Sequence, residues 1–301
     1  MLDAMQAAGW PKLGSVEADR LRAMIKMPLM VFTKVQSVMD GAIPGPAGDI
    51  PIRVYRPVEQ PAGVIVYFHG GGWTIGDLDS MDAAIRLVAN NTDCTVVSVD
   101  YRLAPEHPFP AAVDDSMAAV SWVAQRMGDF ASPGAPLMVM GDSAGGNLAA
   151  VVCLLARDAG GPEIGLQILV YPATEGDVHA EALHAFVPPF LDRDDIEWFY
   201  DQYIRPEHRA DPRFAPAEAA SHAGLPPAVI VTAEYDLLTA HGRNYARQLE
   251  QAGVPVTCLH YDGAIHGFFG MAAQFDIGRR AIDDVSREIA ARIAPMAETT
   301  D

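Results

Sequence analysis

Short runs of apolar residues recur along this chain, and most of them show no alternation with polar ones. Val64–Phe68, Thr95–Val99, Leu137–Met140, Leu166–Val170 and Val229–Thr232 are all of this kind and rich in β-branched side chains. A strand that is apolar on both faces must be buried on both, which is the pattern of a parallel sheet covered by helices. Ile50–Tyr55 alternates instead, as an edge strand with one wet face does, and Val256–His260 is a further strand of weaker pattern. Helical spacing fills the gaps, at residues 80–90, 111–127, 144–158, 238–252 and 275–294. In the last of these, Ile282, Val285, Ile289 and Ile293 fall on one face. Strand and helix in alternation from residue 49 onward predict a doubly wound, mostly parallel α/β sheet. Ligands of such sheets bind at the carboxyl ends of the strands.

Two stretches break the alternation. In residues 1–48, Ser15 can cap a helix whose Leu21, Met24 and Ile25 share a face and which Pro28 ends, and a loop rich in Gly and Pro, Gly41 to Gly48, follows. This reads as a helical cap segment lying over a catalytic domain of residues 49–301. Residues 174–219 hold Pro188, Pro189, several aromatics and one helix, Asp192–Tyr203. They read as an insertion over the carboxyl face and a second piece of cap.

Composition narrows the function classes. The chain has 301 residues, 50% of them hydrophobic, enough for one large domain. Lys and Arg total 21 against 39 Asp and Glu, a formal net charge of −18. Such a surface repels phosphate backbones and anionic membranes, so nucleic acid is not expected as a partner. No stretch reaches the ~18 apolar residues of a membrane helix, and Met1 to Gly14 carries no secretory pattern, so a cytoplasmic location is expected. Cys94, Cys153 and Cys258 are odd in number and widely spaced; they are expected as buried free thiols, with no metal site. A homodimer is compatible with the sequence but not read from it.

The chemistry sits at the strand ends. Gly141-Asp142-Ser143-Ala144-Gly145-Gly146 follows one apolar run and opens a helix, the setting that a G-x-S-x-G nucleophile elbow needs. A serine there sits on a strained turn, with the helix N-terminus behind it. The alternative is a glycine-rich turn with a capping serine. His69-Gly70-Gly71-Gly72-Trp73 follows another run. Three glycines together suit a backbone that must approach a substrate, and no Gly-Lys-Ser/Thr follows as a phosphate loop requires. Amides of Gly70 and Gly71, joined by that of Ala144, are the expected oxyanion donors. His69 is expected as a loop anchor, Gly72 as support, and Trp73 as pocket wall or core. Among nine histidines, His266 alone follows a late strand in a loop before the last helix, while His260 reads as a strand residue and His241 as a helix residue. For the acid, Asp236 gives the chain order Ser143, Asp236, His266, with Glu234 and Asp262 as rivals.

Taken together, these residues resemble the bacterial hormone-sensitive-lipase family of carboxylesterases, of α/β-hydrolase fold. The matches are the glycine motif at 69–73, Tyr101-Arg102-Leu103-Ala104-Pro105-Glu106, the motif at 141–146, and Asp262 to Phe269. The resemblance implies a helical cap, hydrolysis of short- to medium-chain esters of small molecules, and no cofactor. It also implies that Glu106 and Asp142 support the active-site loops. One departure is Asp236-Leu237-Leu238-Thr239-Ala240, where the family often has proline after the acid and a second aspartate. An arylformamidase, or another amide or peptide hydrolase, is the alternative on the same fold. A non-enzymatic receptor is disfavoured because His266 is present.

Overall fold

The structure, a computed structural model, describes residues 16–25 and 33–293, with Met24 and Ile25 described by their backbone alone. Ser15 and Pro28, the expected cap and stop of the first helix, lie outside the described residues. That helix, α1, spans Ala18–Ile25 and buries Leu21.

The elements that follow are β1 (Ser37–Gly45), β2 (Gly48–Arg56), β3 (Gly63–Phe68), α2 (Asp82–Thr92), β4 (Cys94–Val99), α3 (Ala111–Ala124), α4 (Met127–Phe130), β5 (Leu137–Asp142) and α5 (Ala144–Ala159). They continue as β6 (Leu166–Val170), α6 (Arg193–Tyr203), β7 (Ala228–Tyr235), α7 (Thr239–Gln251), β8 (Val256–Ile265) and α8 (Asp276–Ile293). All eight strands form one sheet in the order β1-β2-β4-β3-β5-β6-β7-β8, in which β2 runs antiparallel to both neighbours and every pair from β4 to β8 is parallel.

Both faces of the central strands are apolar because both are covered. Val64, Val66 and Phe68 of β3 point into one core with Val113 and Val120 of α3, Leu148 of α5 and Leu249 of α7. Ile65 and Tyr67, one residue out of step, point into the other with Ile85 and Val88 of α2 and Ile282, Val285 and Ile289 of α8. At about 25 cal/mol per Å² of buried apolar surface, these two layers are the main source of stability.

Two expectations are corrected here. Residues 41–48 are not a loop of the arm: β1 and β2 form a hairpin, with Ile43 opposite Ile50, so the sheet begins before residue 49. Gly41, Pro44 and Gly45 hid this strand, but proline and glycine are tolerated on an edge where one side of the ladder is unpaired. Cys258 is exposed rather than buried, since β8 is the opposite edge strand, whereas Cys94 and Cys153 are buried and burial pushes the Cys94 thiol up to about 11. Residues 174–219 carry α6 and three short 3-10 turns, lie outside the sheet, and pack over its carboxyl end. Asp192 caps α6 in a reciprocal box with Asp195.

Candidate active site

β5 ends at Asp142 and α5 starts at Ala144, so Ser143 alone makes the turn between them. Its φ is 54° and ψ −117°, a strained conformation for a residue with a side chain. The surroundings leave little alternative. A Cβ on Gly141 would lie 2.2 Å from the Gly145 carbonyl, and one on Gly145 would lie 2.0 Å from the Phe68 carbonyl oxygen. Both positions must be glycine for β5, α5 and β3 to approach as they do. The Ser143 amide donates to the Val170 carbonyl at 2.8 Å, tying the elbow to β6.

Asp236 and His266 each follow directly on the last residue of a strand, β7 and β8. His266 Nδ1 lies 2.8 Å from Asp236 Oδ2, and its Nε2 lies 2.9 Å from Ser143 Oγ. A carboxylate only accepts, so Nδ1 carries the ring proton and Nε2 is left to accept from the serine hydroxyl. Asp236 Oδ1 accepts the Leu238 amide at 2.9 Å, which fixes the carboxylate without the family's proline. Asp236 and His266 are buried. Neither rival carboxylate reaches the imidazole: Glu234 accepts the Gly263 amide at 2.6 Å, and Asp262 is exposed beside His260.

The glycine loop leaves β3 beside the elbow. The Gly70 amide donates to Asp142 Oδ1 at 2.8 Å, so Gly70 is not a free oxyanion donor as expected. The buried Asp142 carboxylate accepts also from the Tyr67 hydroxyl. Burial pushes this carboxyl up, and those two hydrogen bonds work against that by favouring its charged form. Among the described residues, the amides of Gly71, Gly72 and Ala144 donate to nothing. The peptide planes that carry them are fixed. His69 Nδ1 lies 2.7 Å from the Gly70 carbonyl, the plane of the Gly71 amide, and must donate to it. The Thr74 and Ile75 amides donate to the Gly71 carbonyl at 3.0 and 2.9 Å, the plane of the Gly72 amide. Burial lowers the His69 pKa, keeping the ring neutral with one N–H for this task. Its ring stacks on Tyr101, whose hydroxyl donates to the His69 carbonyl at 2.6 Å.

Trp73 is core and not pocket wall. It is 1% exposed and stacks on Tyr203 of α6 at 4.7 Å, with Tyr200 and Phe214 at its edges. Phe199 of α6 packs on Gly72 so closely that a Cβ there would lie 2.2 Å from its ring. The insertion thus touches the glycine loop directly. Glu106 is placed at the loop's rear, in a two-pronged ion pair with Arg22 of α1 at 2.7 and 2.8 Å.

Three contributors escaped the sequence reading. Tyr67 looks like one more apolar strand residue, and only its face of the sheet brings its hydroxyl to Asp142. Tyr171 has φ 36° and places its ring 4.7 Å from that of His266. Arg22 lies 84 residues from Glu106, beyond any local signal. Among the described residues no group of three His, Cys, Asp or Glu could hold a metal ion, and no helix is long and apolar enough to cross a membrane.

Residues 65–270 match the model of the α/β-hydrolase fold family. Among curated proteins, the chain is 46% identical over 243 residues to the carboxylic ester hydrolase LipN of Mycobacterium tuberculosis, a match covering 78% of this chain and 65% of that relative. It is 44% identical over 234 residues to the carboxylesterase NlhH of the same organism, covering 74% and 72% of the two chains. Among solved structures, an ester hydrolase from the metagenome of Lake Arreo, complexed with a bipyridine phosphonate derivative, superposes with a TM-score of 0.90 at 38% identity, covering 98% of this chain and 97% of the other. With an elbow, a glycine loop and an Asp-His-Ser chain at the carboxyl edge of the sheet, the protein belongs to the hormone-sensitive-lipase-like carboxylic ester hydrolases of the α/β-hydrolase fold.

Proposed function

We propose that this chain hydrolyses short- to medium-chain carboxylic esters through Ser143, His266 and Asp236. The observation that carries the reading is the unbroken hydrogen-bond chain from Asp236 through His266 to Ser143, at 2.8 and 2.9 Å.

Ser143 Oγ attacks the ester carbonyl while His266 Nε2 takes its proton. Asp236 holds the imidazole in the required tautomer and stabilises the imidazolium as it forms. The carbonyl oxygen becomes an oxyanion and accepts from the amides of Gly71, Gly72 and Ala144, each such donor being worth about 3 kcal/mol in the transition state. His266 then gives its proton to the alkoxide, the alcohol leaves, and Ser143 carries the acyl group. Water, deprotonated by the same imidazole, attacks the acyl-enzyme and releases the acid. Helix α1 and residues 174–219 serve as the cap. Phe199 on Gly72, and Phe190 within van der Waals reach of a Cβ on Gly267 beside His266, support an apolar lining for the acyl and alcohol groups.

The test is covalent. A fluorophosphonate should label the protein once, peptide mapping should put the adduct on Ser143, and Ser143→Ala should remove both label and ester turnover. Label on another serine with activity retained would overturn the assignment. Paired rates on an ester and its matching amide should favour the ester by orders of magnitude.

A further inference from the structure

We propose that Arg22 is a positioning residue for the oxyanion donors, so that docking of the N-terminal helix sets the geometry of the glycine loop. The proposal rests on the hydrolase reading above. A guanidinium has five N–H groups in one plane, and all five of Arg22 are engaged. Nε donates to the Thr74 carbonyl at 2.8 Å. Nη2 donates to the Ala104 carbonyl at 2.7 Å and to Glu106 Oε2 at 2.8 Å. Nη1 donates to Glu106 Oε1 at 2.7 Å and to Asp19 Oδ1 at 2.9 Å. One side chain of α1 therefore joins the end of the glycine loop to the Tyr101–Glu106 segment.

Thr74 is the link to the chemistry. While its carbonyl accepts from Arg22, its amide donates to the Gly71 carbonyl at 3.0 Å and its hydroxyl to the Gly72 carbonyl at 3.0 Å. The Gly71 carbonyl and the Gly72 amide belong to one rigid peptide plane. A shift of Thr74 therefore turns the Gly72 N–H away from the oxyanion. A second path runs through Ala104, whose amide donates to the Trp73 carbonyl at 2.8 Å while its own carbonyl accepts from Arg22. Glycines at φ 114° and 57° offer little resistance to such a turn, so the loop must be held from outside. Lysine could not replace the fork, having three donors at a single point.

The experiment compares Arg22→Gln, Arg22→Lys and Asp19→Asn in the full chain, with circular dichroism to establish folding. It reads kcat and KM on acetate and hexanoate esters, and the rate of phosphonylation by a fluorophosphonate. Arg22→Gln should lower kcat roughly ten- to a hundredfold on both esters, since small misplacement of oxyanion donors is felt at the transition state. KM should change less than about threefold, and phosphonylation should slow by the factor seen in kcat/KM. Arg22→Lys should recover only part of the loss, and Asp19→Asn, which takes the charge from one of the five contacts but keeps an acceptor, should stay within about twofold. If Arg22→Gln does not fold, Glu106→Gln, which weakens the same fork, must show the same split in kcat. Unchanged kcat, or a KM that rises for hexanoate alone, would overturn the proposal and leave Arg22 as a strut of the pocket wall. If the wild type is not labelled at Ser143 at all, the hydrolase reading fails first. Labelled wild type with unaltered variants sinks only the clamp.

Discussion

Two loops leave the neighbouring strands β3 and β5 and converge on one point, yet they are held by different means. The elbow after β5 is fixed by its own chain: Gly141 and Gly145 permit the close approach, α5 begins at once, and the strained Ser143 sits on β6 through one backbone bond. The glycine loop after β3 has residues at positive φ in succession, Gly71, Gly72 and Trp73, and no helix behind it. It is held by side chains from elsewhere: Asp142 on Gly70, Phe199 on Gly72, Tyr203 on Trp73 and Arg22 on Thr74. The part that carries Ser143 is local in sequence. The glycine loop is held by three other segments, β5, α6 and α1, and so its precision depends on how well they are docked.

Variants can break that contrast. The largest effect is expected at His266, the proposed base. Asp236→Asn offers His266 the wrong tautomer, and kcat should fall by roughly 10⁴, while Glu234→Gln, whose partner is a backbone amide, should cost far less. Comparable losses from the two would show that the wrong carboxylate has been chosen. Next is the elbow itself. Gly145→Ala drives a methyl toward the Phe68 carbonyl oxygen 2.0 Å away, and stability in urea should drop by about 3 kcal/mol or more. A neutral result would mean that the elbow has room and is not sterically determined.

Smaller effects belong to the glycine loop. Tyr67→Phe removes a donor from the buried Asp142 carboxylate, which then has fewer partners with which to hold Gly70. Stability should fall by about 1–3 kcal/mol, with kcat reduced in parallel and KM nearly unchanged. A fall in stability alone would separate the Asp142 network from the donors it is argued to place. The smallest effect is acid-dependent. The Arg22 hydrogen bond holds the Glu106 carboxyl down to about 2, from an ordinary 4.5. A lowered folded-state pKa contributes stability that is complete above about 4.5 and lost as pH falls through about 2. The pair is partly exposed, so its share is at most about 1 kcal/mol. The gap in stability between wild type and Glu106→Gln should therefore be constant at neutral pH and close between pH 4.5 and 2. A gap that persists at pH 2 would show that Glu106 acts by packing and not by charge.

Apolar runs, their spacing and the two glycine motifs determined by themselves the α/β architecture and the strand-end placement of Ser143, Asp236 and His266. They could do so because a doubly buried strand and an elbow are local requirements, written in adjacent residues. Other features were decided only by the tertiary structure. Gly70 spends its amide on Asp142, whereas the amide of Gly72 donates to nothing among the described residues. Trp73 is packed under α6 and only 1% exposed. The hairpin β1–β2 extends the sheet into what reads as a glycine- and proline-rich loop, and β8 at the other edge leaves Cys258 in solvent. Arg22 finds Glu106 across 84 residues. Each of these depends on which distant group occupies a given hydrogen bond or face. A backbone amide is identical at every residue, so sequence can nominate oxyanion donors, but only the packed chain decides which of them remain unpaired.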